Sequence, residues 1–132
     1  MNNNYENEGV KILIVDDDPL SIFLSEKLLT KQYFTHSVQS GYEALELLQK
    51  KQFDIILMDI NLDDINMDGI KTMRKIRENP DTKDNAIFAL TAFSHNKRWY
   101  IDQGFDELFL KPLTNDIFNV INTYLFSKKK VA

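Results

Sequence analysis

Carboxylates crowd one short stretch of this chain: Asp16, Asp17 and Asp18 follow one another in "VDDDP", directly after the apolar run "VKILIV". Adjacent like charges repel, so the cluster needs a chemical or structural reason. Farther along, three more apolar runs end in a polar group: Asp59 in "IILMD", Thr91 in "FALTA" and Lys111 in "LFLKP". Asp18 has a purely structural reading, because it precedes Pro19 and an acidic N-cap followed by Pro is a favoured helix start. Asp16, Asp17 and Asp59 have no such role. Brought together, they would either raise one another's pKa or hold a divalent cation. Mg2+ is the natural candidate, since it takes one or two carboxylates, keeps waters and leaves a place for a phosphoryl oxygen. Lys111 would supply a point charge, and Thr91 a hydroxyl, for the same phosphoryl group.

Positioning these groups falls to an alternation of short apolar runs and helical patterns. "VKILIV" (10–15) precedes Pro19 to about Lys31; "FTHSV" (34–38) precedes Gly41 to Lys51; "IILM" (55–58) precedes Gly69 to Glu78. "AIFAL" (86–90) precedes about Asn96 to Gln103, and "ELFL" (107–110) precedes Thr114 to Ser127. Runs such as "IILM" and "AIFAL" are apolar on both faces, as expected of central parallel strands covered by helices on each side, whereas "FTHSV" suits an edge. Ser40 with Glu43 forms a capping box, Asp68 and Thr114 are candidate N-caps, and Gly104 stands where a helix would end. The pattern predicts a doubly wound α/β fold of three layers, with a five-stranded parallel sheet and right-handed crossovers. In such sheets ligands bind beyond the carboxyl ends of the strands, where all the groups above fall.

Composition sets the outer limits. The 132 residues fit one domain, and 43% hydrophobic with 27% charged residues describe an ordinary globule. There is no Cys, which excludes disulfides and thiolate sites, and the two His, His36 and His95, argue against a polyhistidine site. Both histidines read as surface residues. Net charge is −4, which argues against direct nucleic-acid binding. No apolar run is long enough for membrane insertion and the N-terminus has no signal peptide, so the cytoplasm is the expected location. Residues 1–9 read as a flexible leader, 10–127 as the folded domain and 128–132 as a basic tail.

The motifs "VDD", "LMD", "MDG", "LTA" and "LKP", in this order and each at a strand or helix end, resemble the receiver domain of two-component response regulators from about Val10 to Ser127. The likeness is to stand-alone receivers of the chemotaxis type. The resemblance implies a flavodoxin-like strand order 2-1-3-4-5 and makes Asp59 the phosphoacceptor. It makes Asp17 a direct Mg2+ ligand, Asp16 a metal-site acid that acts directly or through water, and the Asn61 carbonyl a further ligand. Thr91 would bind a phosphoryl oxygen, Ala92 would be small enough to admit the group, Lys111 would pair with it, and the Lys111–Pro112 peptide would be cis. The implied partner is a sensor histidine kinase or histidine phosphotransfer protein, the implied reaction is transfer from phosphohistidine to Asp59, and the implied reset is hydrolysis without turnover of an external substrate.

This chain departs from the family pattern in three places. The loop after Asp59, "DINLDDINMDG", has two extra residues and no proline, and it adds Asp63 and Asp64, read as solvated loop acids. The stretch from Thr91 to Gly104 is about two residues short. Leu108 replaces the usual Tyr or Phe, which leaves no aromatic side chain there to switch rotamer with Thr91. Trp99, Tyr100 and Phe93 read as packing or as a docking patch, and Ile117, Phe118, Val120, Ile121, Tyr124 and Leu125 read as core with some surface to spare. With no room after Ser127 for an output domain, the signal would leave by protein contact with a downstream target or by passing phosphate onward, from a monomer or weak dimer. Within signalling, the rival is a receiver excised from a hybrid kinase or a phosphate sink; two rivals of other kinds are a phosphorylation-independent binding module of receiver type and a metal-dependent phosphatase. Against the latter stands the lack of a D-x-D pair, a G-x-S-x-G elbow or a Gly-rich phosphate loop.

Overall fold

The computed structural model describes residues 9–92 and 96–131. Five strands, β1 (Lys11–Val15), β2 (Phe34–Val38), β3 (Ile55–Asp59), β4 (Ala86–Thr91) and β5 (Glu107–Leu110), alternate with five helices. The helices are α1 (Pro19–Leu29), α2 (Gly41–Leu48), α3 (Gly69–Glu78), α4 (Lys97–Gln103) and α5 (Asp116–Val131). All strand pairs are parallel and the order is β2-β1-β3-β4-β5, as expected.

Alternation within each strand divides the core in two. Ile12, Ile14, Ile55, Leu57, Phe88 and Leu90 face Leu29 of α1 and Ile117 and Ile121 of α5. Leu13, Val15, Ile56, Met58, Ile87 and Ala89 face Ala44 of α2, Met73 and Ile76 of α3 and Tyr100 of α4. Each fully buried aliphatic side chain contributes about 1.5–3 kcal/mol relative to exposure, so these two layers hold the strand ends in register. Edge strand β2 is only partly buried, and His36 lies exposed on it, edge-on to Phe53 at 6.1 Å.

Asp18, Ser40, Asp68 and Gly104 cap their helices as expected, with one variation at Ser40, whereas Thr114 stands two residues before α5 and its hydroxyl donates to the Asp116 carboxylate. Asp18 accepts from the Leu20 amide and Asp68 from that of Lys71. Ser40 accepts from Glu43 N–H, but the Glu43 carboxylate reaches back to Gln39 N–H, one residue before the cap. Gly104 closes α4 with φ +127, a left-handed conformation that glycine adopts without a Cβ penalty.

Helix ends account for the corrections. α1 stops at Leu29 rather than near Lys31, because the Gln32 and Tyr33 amides fold back onto Leu29 O and Tyr33 enters the core. α2 stops at Leu48 rather than Lys51, where the Lys50 and Lys51 amides both turn onto Leu47 O. α5 starts at Asp116 rather than Thr114, whose hydroxyl bonds the Asp116 carboxylate, and it continues past Ser127 to Val131. In α4 Asn96 is the cap and not part of the helix. Tyr100 is core and Trp99 packs edge-on against it at 5.0 Å; Phe93 and His95 lie outside the described residues. Ile117 and Ile121 are buried, while Phe118, Val120, Tyr124 and Leu125 pack partly buried around the same core.

Candidate functional site

The topology brings Asp16 and Asp59 side by side. β1 lies between β2 and β3, with Val15 paired to Met58, so the residue after each falls at the crevice where the winding reverses. The three successive acids then take three different environments. Asp16 is fully buried; its Oδ1 accepts from Asp18 N–H at 3.0 Å, and its Oδ2 from Ser21 Oγ at 2.5 Å and Lys111 Nζ at 3.2 Å. Asp17 is half-buried and its Oδ2 accepts from the Asp63 amide at 2.8 Å. Asp18 caps α1.

Asp59 ends β3, is 2% exposed, and accepts from Asn61 N–H at 3.0 Å and from Lys111 Nζ at 3.2 Å. Burial pushes its carboxyl up to about 6, with the charge of Asp16 adding to the rise and the Asn61 amide and Lys111 opposing it. Burial would lower the Lys111 ammonium, but the carboxylates of Asp59 and Asp16 outweigh it and raise its pKa. One ammonium thus serves two carboxylates, leaving net negative charge at the crevice. Ligating atoms of Asp16, Asp17 and Asp59 all lie within 4.8 Å of one another. An all-oxygen set of this charge suits a hard divalent cation of the Mg2+ type.

Backbone bonds align the remaining strand ends. Ile60 N–H donates to Leu90 O at 3.0 Å, and Lys111 N–H donates to Thr91 O at 2.9 Å. Thr91, 1% exposed, therefore closes β4 between Asp59 and Lys111, with Ala92 exposed beside it. Asn61 is exposed and the Lys111–Pro112 peptide is cis. Leu108 packs partly buried against the core on the α2–α4 side of the sheet. All the chemically marked residues gather at one edge.

Sequence reading gave no site role to Ser21, to Gly69 of "MDG" or to the Asp63 amide. Ser21 holds Asp16 from the first turn of α1. Gly69 packs on the Asp59 and Ile60 backbone, where a Cβ would come within 2.2 Å of Asp59 O. A glycine at the first position of a helix, where better helix formers are available, was the one signal that could have revealed it.

Comparison with known proteins agrees with this geometry. The response regulator receiver domain family matches residues 12–122. Sensor histidine kinase RcsC of Escherichia coli (strain K12) is 31% identical over 113 residues, which cover 85% of this chain and 12% of that protein. The chain therefore spans only a small part of such relatives. A putative response regulator from Chloroflexus aurantiacus J-10-fl superimposes with a TM-score of 0.77 at 29% identity, covering 86% of this chain and 95% of the other. The receiver domain of sensor histidine kinase PA1611 from Pseudomonas aeruginosa PAO1, solved with a magnesium ion in its active-site cleft, gives 0.77 at 26% identity, covering 87% and 96%.

Proposed function

The chain belongs to the response regulator receiver domain family, and from that premise we propose that Asp59 is its phosphoacceptor, charged by a sensor histidine kinase or a histidine phosphotransfer protein. The observation that carries this is the convergence of Asp16, Asp17 and Asp59 within 4.8 Å with Lys111 Nζ 3.2 Å from both buried carboxylates.

In the proposed reaction an Asp59 carboxylate oxygen attacks the phosphorus of phosphohistidine in line. The new O–P bond forms as the P–N bond breaks, and the electron pair stays on the imidazole nitrogen. With a pKa of about 6, Asp59 is ionised at neutral pH, and its burial leaves a poorly solvated oxygen available for attack. Asn61 N–H and Lys111 fix the carboxylate, so the nucleophile is oriented before the donor arrives. Asp16, Asp17, Asp59 and the Asn61 carbonyl would hold Mg2+, which when bound neutralises charge on the transferring group. Lys111 exchanges its contact with Asp59 for a phosphoryl oxygen, Thr91 donates its hydroxyl to another, and Ala92 leaves room beside them.

Water attack on the acyl phosphate later returns the carboxylate and releases phosphate, so the chain acts as a self-resetting switch. Output passes to a downstream protein or along a phosphorelay, from a cytoplasmic monomer or weak dimer. Intact-protein mass spectrometry after incubation with acetyl phosphate tests the proposal. One phosphoryl group should be gained in wild type with Mg2+, and none without Mg2+ or in Asp59→Asn. A gain that survives Asp59→Asn would assign the acceptor elsewhere.

A further inference from the structure

We propose that the backbone amide of Asp63 positions Asp17 for metal binding, so that the loop between β3 and α3 supports the cation site beyond Asn61. This rests on the reading of Asp17 as a Mg2+ ligand. The Asp63 N–H donates to Asp17 Oδ2 at 2.8 Å across 46 residues of sequence. Asp17 is half-buried beside two buried carboxylates, and their repulsion favours rotation of its side chain outward into water. A charge-assisted bond from an amide opposes that rotation. It engages one oxygen and leaves the other for a cation.

The loop is built to hold that amide still. Leu62, immediately before Asp63, is 7% exposed and packs in the core on the α2–α4 side of the sheet. After it, Asp64 Oδ1 accepts from Asn66 N–H at 2.9 Å and Asp64 O from Met67 N–H at 3.0 Å, closing a turn over buried Met67. Lys71 Nζ ties Ile65 O to α3 at 2.7 Å. The Asp63 side chain itself is exposed. Its residue type therefore matters little and its N–H matters much, in the way that outer partners orient metal ligands elsewhere.

The test compares Asp63→Pro, which lacks the N–H, with Asp63→Asn, which keeps it. Mg2+ affinity is measured by calorimetry and folding by thermal melting. Asp63→Pro should weaken Mg2+ binding by about tenfold or more while Asp63→Asn binds as wild type does. A folded Asp63→Pro that binds Mg2+ as tightly as wild type overturns the proposal. Amide hydrogen exchange decides the case in which Asp63→Pro does not fold. In the metal-free wild type the Asp63 amide should be protected and Asp17→Ala should speed its exchange, whereas equal exchange in both overturns it. Absence of Mg2+ binding by the wild type, or undiminished binding by Asp17→Ala, would instead defeat the reading of Asp17 on which the proposal rests.

Discussion

Gly69, the first residue of α3, lies so close to Asp59 that a Cβ on it would stand 2.2 Å from the Asp59 carbonyl oxygen and 2.8 Å from Ile60 Cα. Both obstacles are backbone, which cannot rotate aside. Gly69 N–H also reaches Ile60 O at 3.3 Å, so the helix start is bonded to the residue after Asp59.

Gly69→Ala should therefore impair both stability and phosphorylation. Alanine favours a helix over glycine by roughly 0.5–1 kcal/mol, whereas forcing a methyl group into a packed site costs about 1–3 kcal/mol. The overlap wins because it is with main chain. Urea denaturation should show a net loss of about 1 kcal/mol, and phosphorylation by acetyl phosphate should slow by about tenfold or more as Asp59 shifts. An unchanged rate in a destabilised variant would limit Gly69 to a packing role.

Asp59 makes metal-free stability pH-dependent, with a definite sign. Burial raises its carboxyl from 3.8 to about 6, so the folded state holds this proton more tightly than the unfolded state does. The contribution is fully present below about 3.8, falls as pH rises toward 6, and above that leaves a penalty of roughly 3 kcal/mol. Asp59→Asn removes the ionisation, and Lys111 keeps Asp16 as a partner at 3.2 Å. In EDTA at pH 7.5 the variant should melt above wild type, and the difference should shrink toward pH 4. A variant that melts lower at pH 7.5 would show that the clustered carboxylates do not oppose folding.

Much of this arrangement was legible because burial on both faces writes an apolar run into the sequence. "IILM" and "AIFAL" announced central strands, and the polar residues that end them, Asp59 and Thr91, fell at the site edge. Asp18 was legible as a cap through Pro19. Less so were the ends of α1 and α2: Lys31 and Lys51 are good helix formers, yet the chain has to turn into β2 and β3, and tertiary demand overrode propensity. The Asp17–Asp63 contact left no mark at all. A main-chain donor carries no residue-type signature, and the sequence pattern rightly read the Asp63 side chain as solvated.

Arg77 should matter for folding and not for chemistry. At the far end of α3 its guanidinium donates to the Gly104, Lys83 and Asn85 carbonyls and pairs with Asp106 at 2.9 Å, tying together the starts of β4 and β5. Asp106 also accepts from Ile87 N–H. Arg77→Ala should lose about 2–3 kcal/mol of stability, and Arg77→Lys should recover little, because an ammonium cannot span the same fork of acceptors. Phosphorylation of the folded fraction should be unchanged, since Asp59 lies at the opposite edge. A slowed reaction at full folding would reveal coupling between the two edges.

A cation held by Asp16 and Asp59 would compete with Lys111 for the same oxygens, which makes replacement of Lys111 informative in two directions. Its Nζ is 3.2 Å from both Asp16 Oδ2 and Asp59 Oδ2. Lys111→Met leaves two buried carboxylates without that compensation, a loss of about 2 kcal/mol after allowing for the partial exposure of the ammonium. Mg2+ bound to the folded protein would restore the missing charge, so stabilisation by mass action should be larger in the variant than in wild type. A Mg2+ titration of the melting temperature should therefore start lower and rise more steeply for Lys111→Met. Phosphorylation should nevertheless be slower, because the group that would receive a phosphoryl oxygen is gone. Parallel titration curves would mean that the ammonium and the cation do not share these carboxylates, and the site would then have to bind Mg2+ without displacing Lys111.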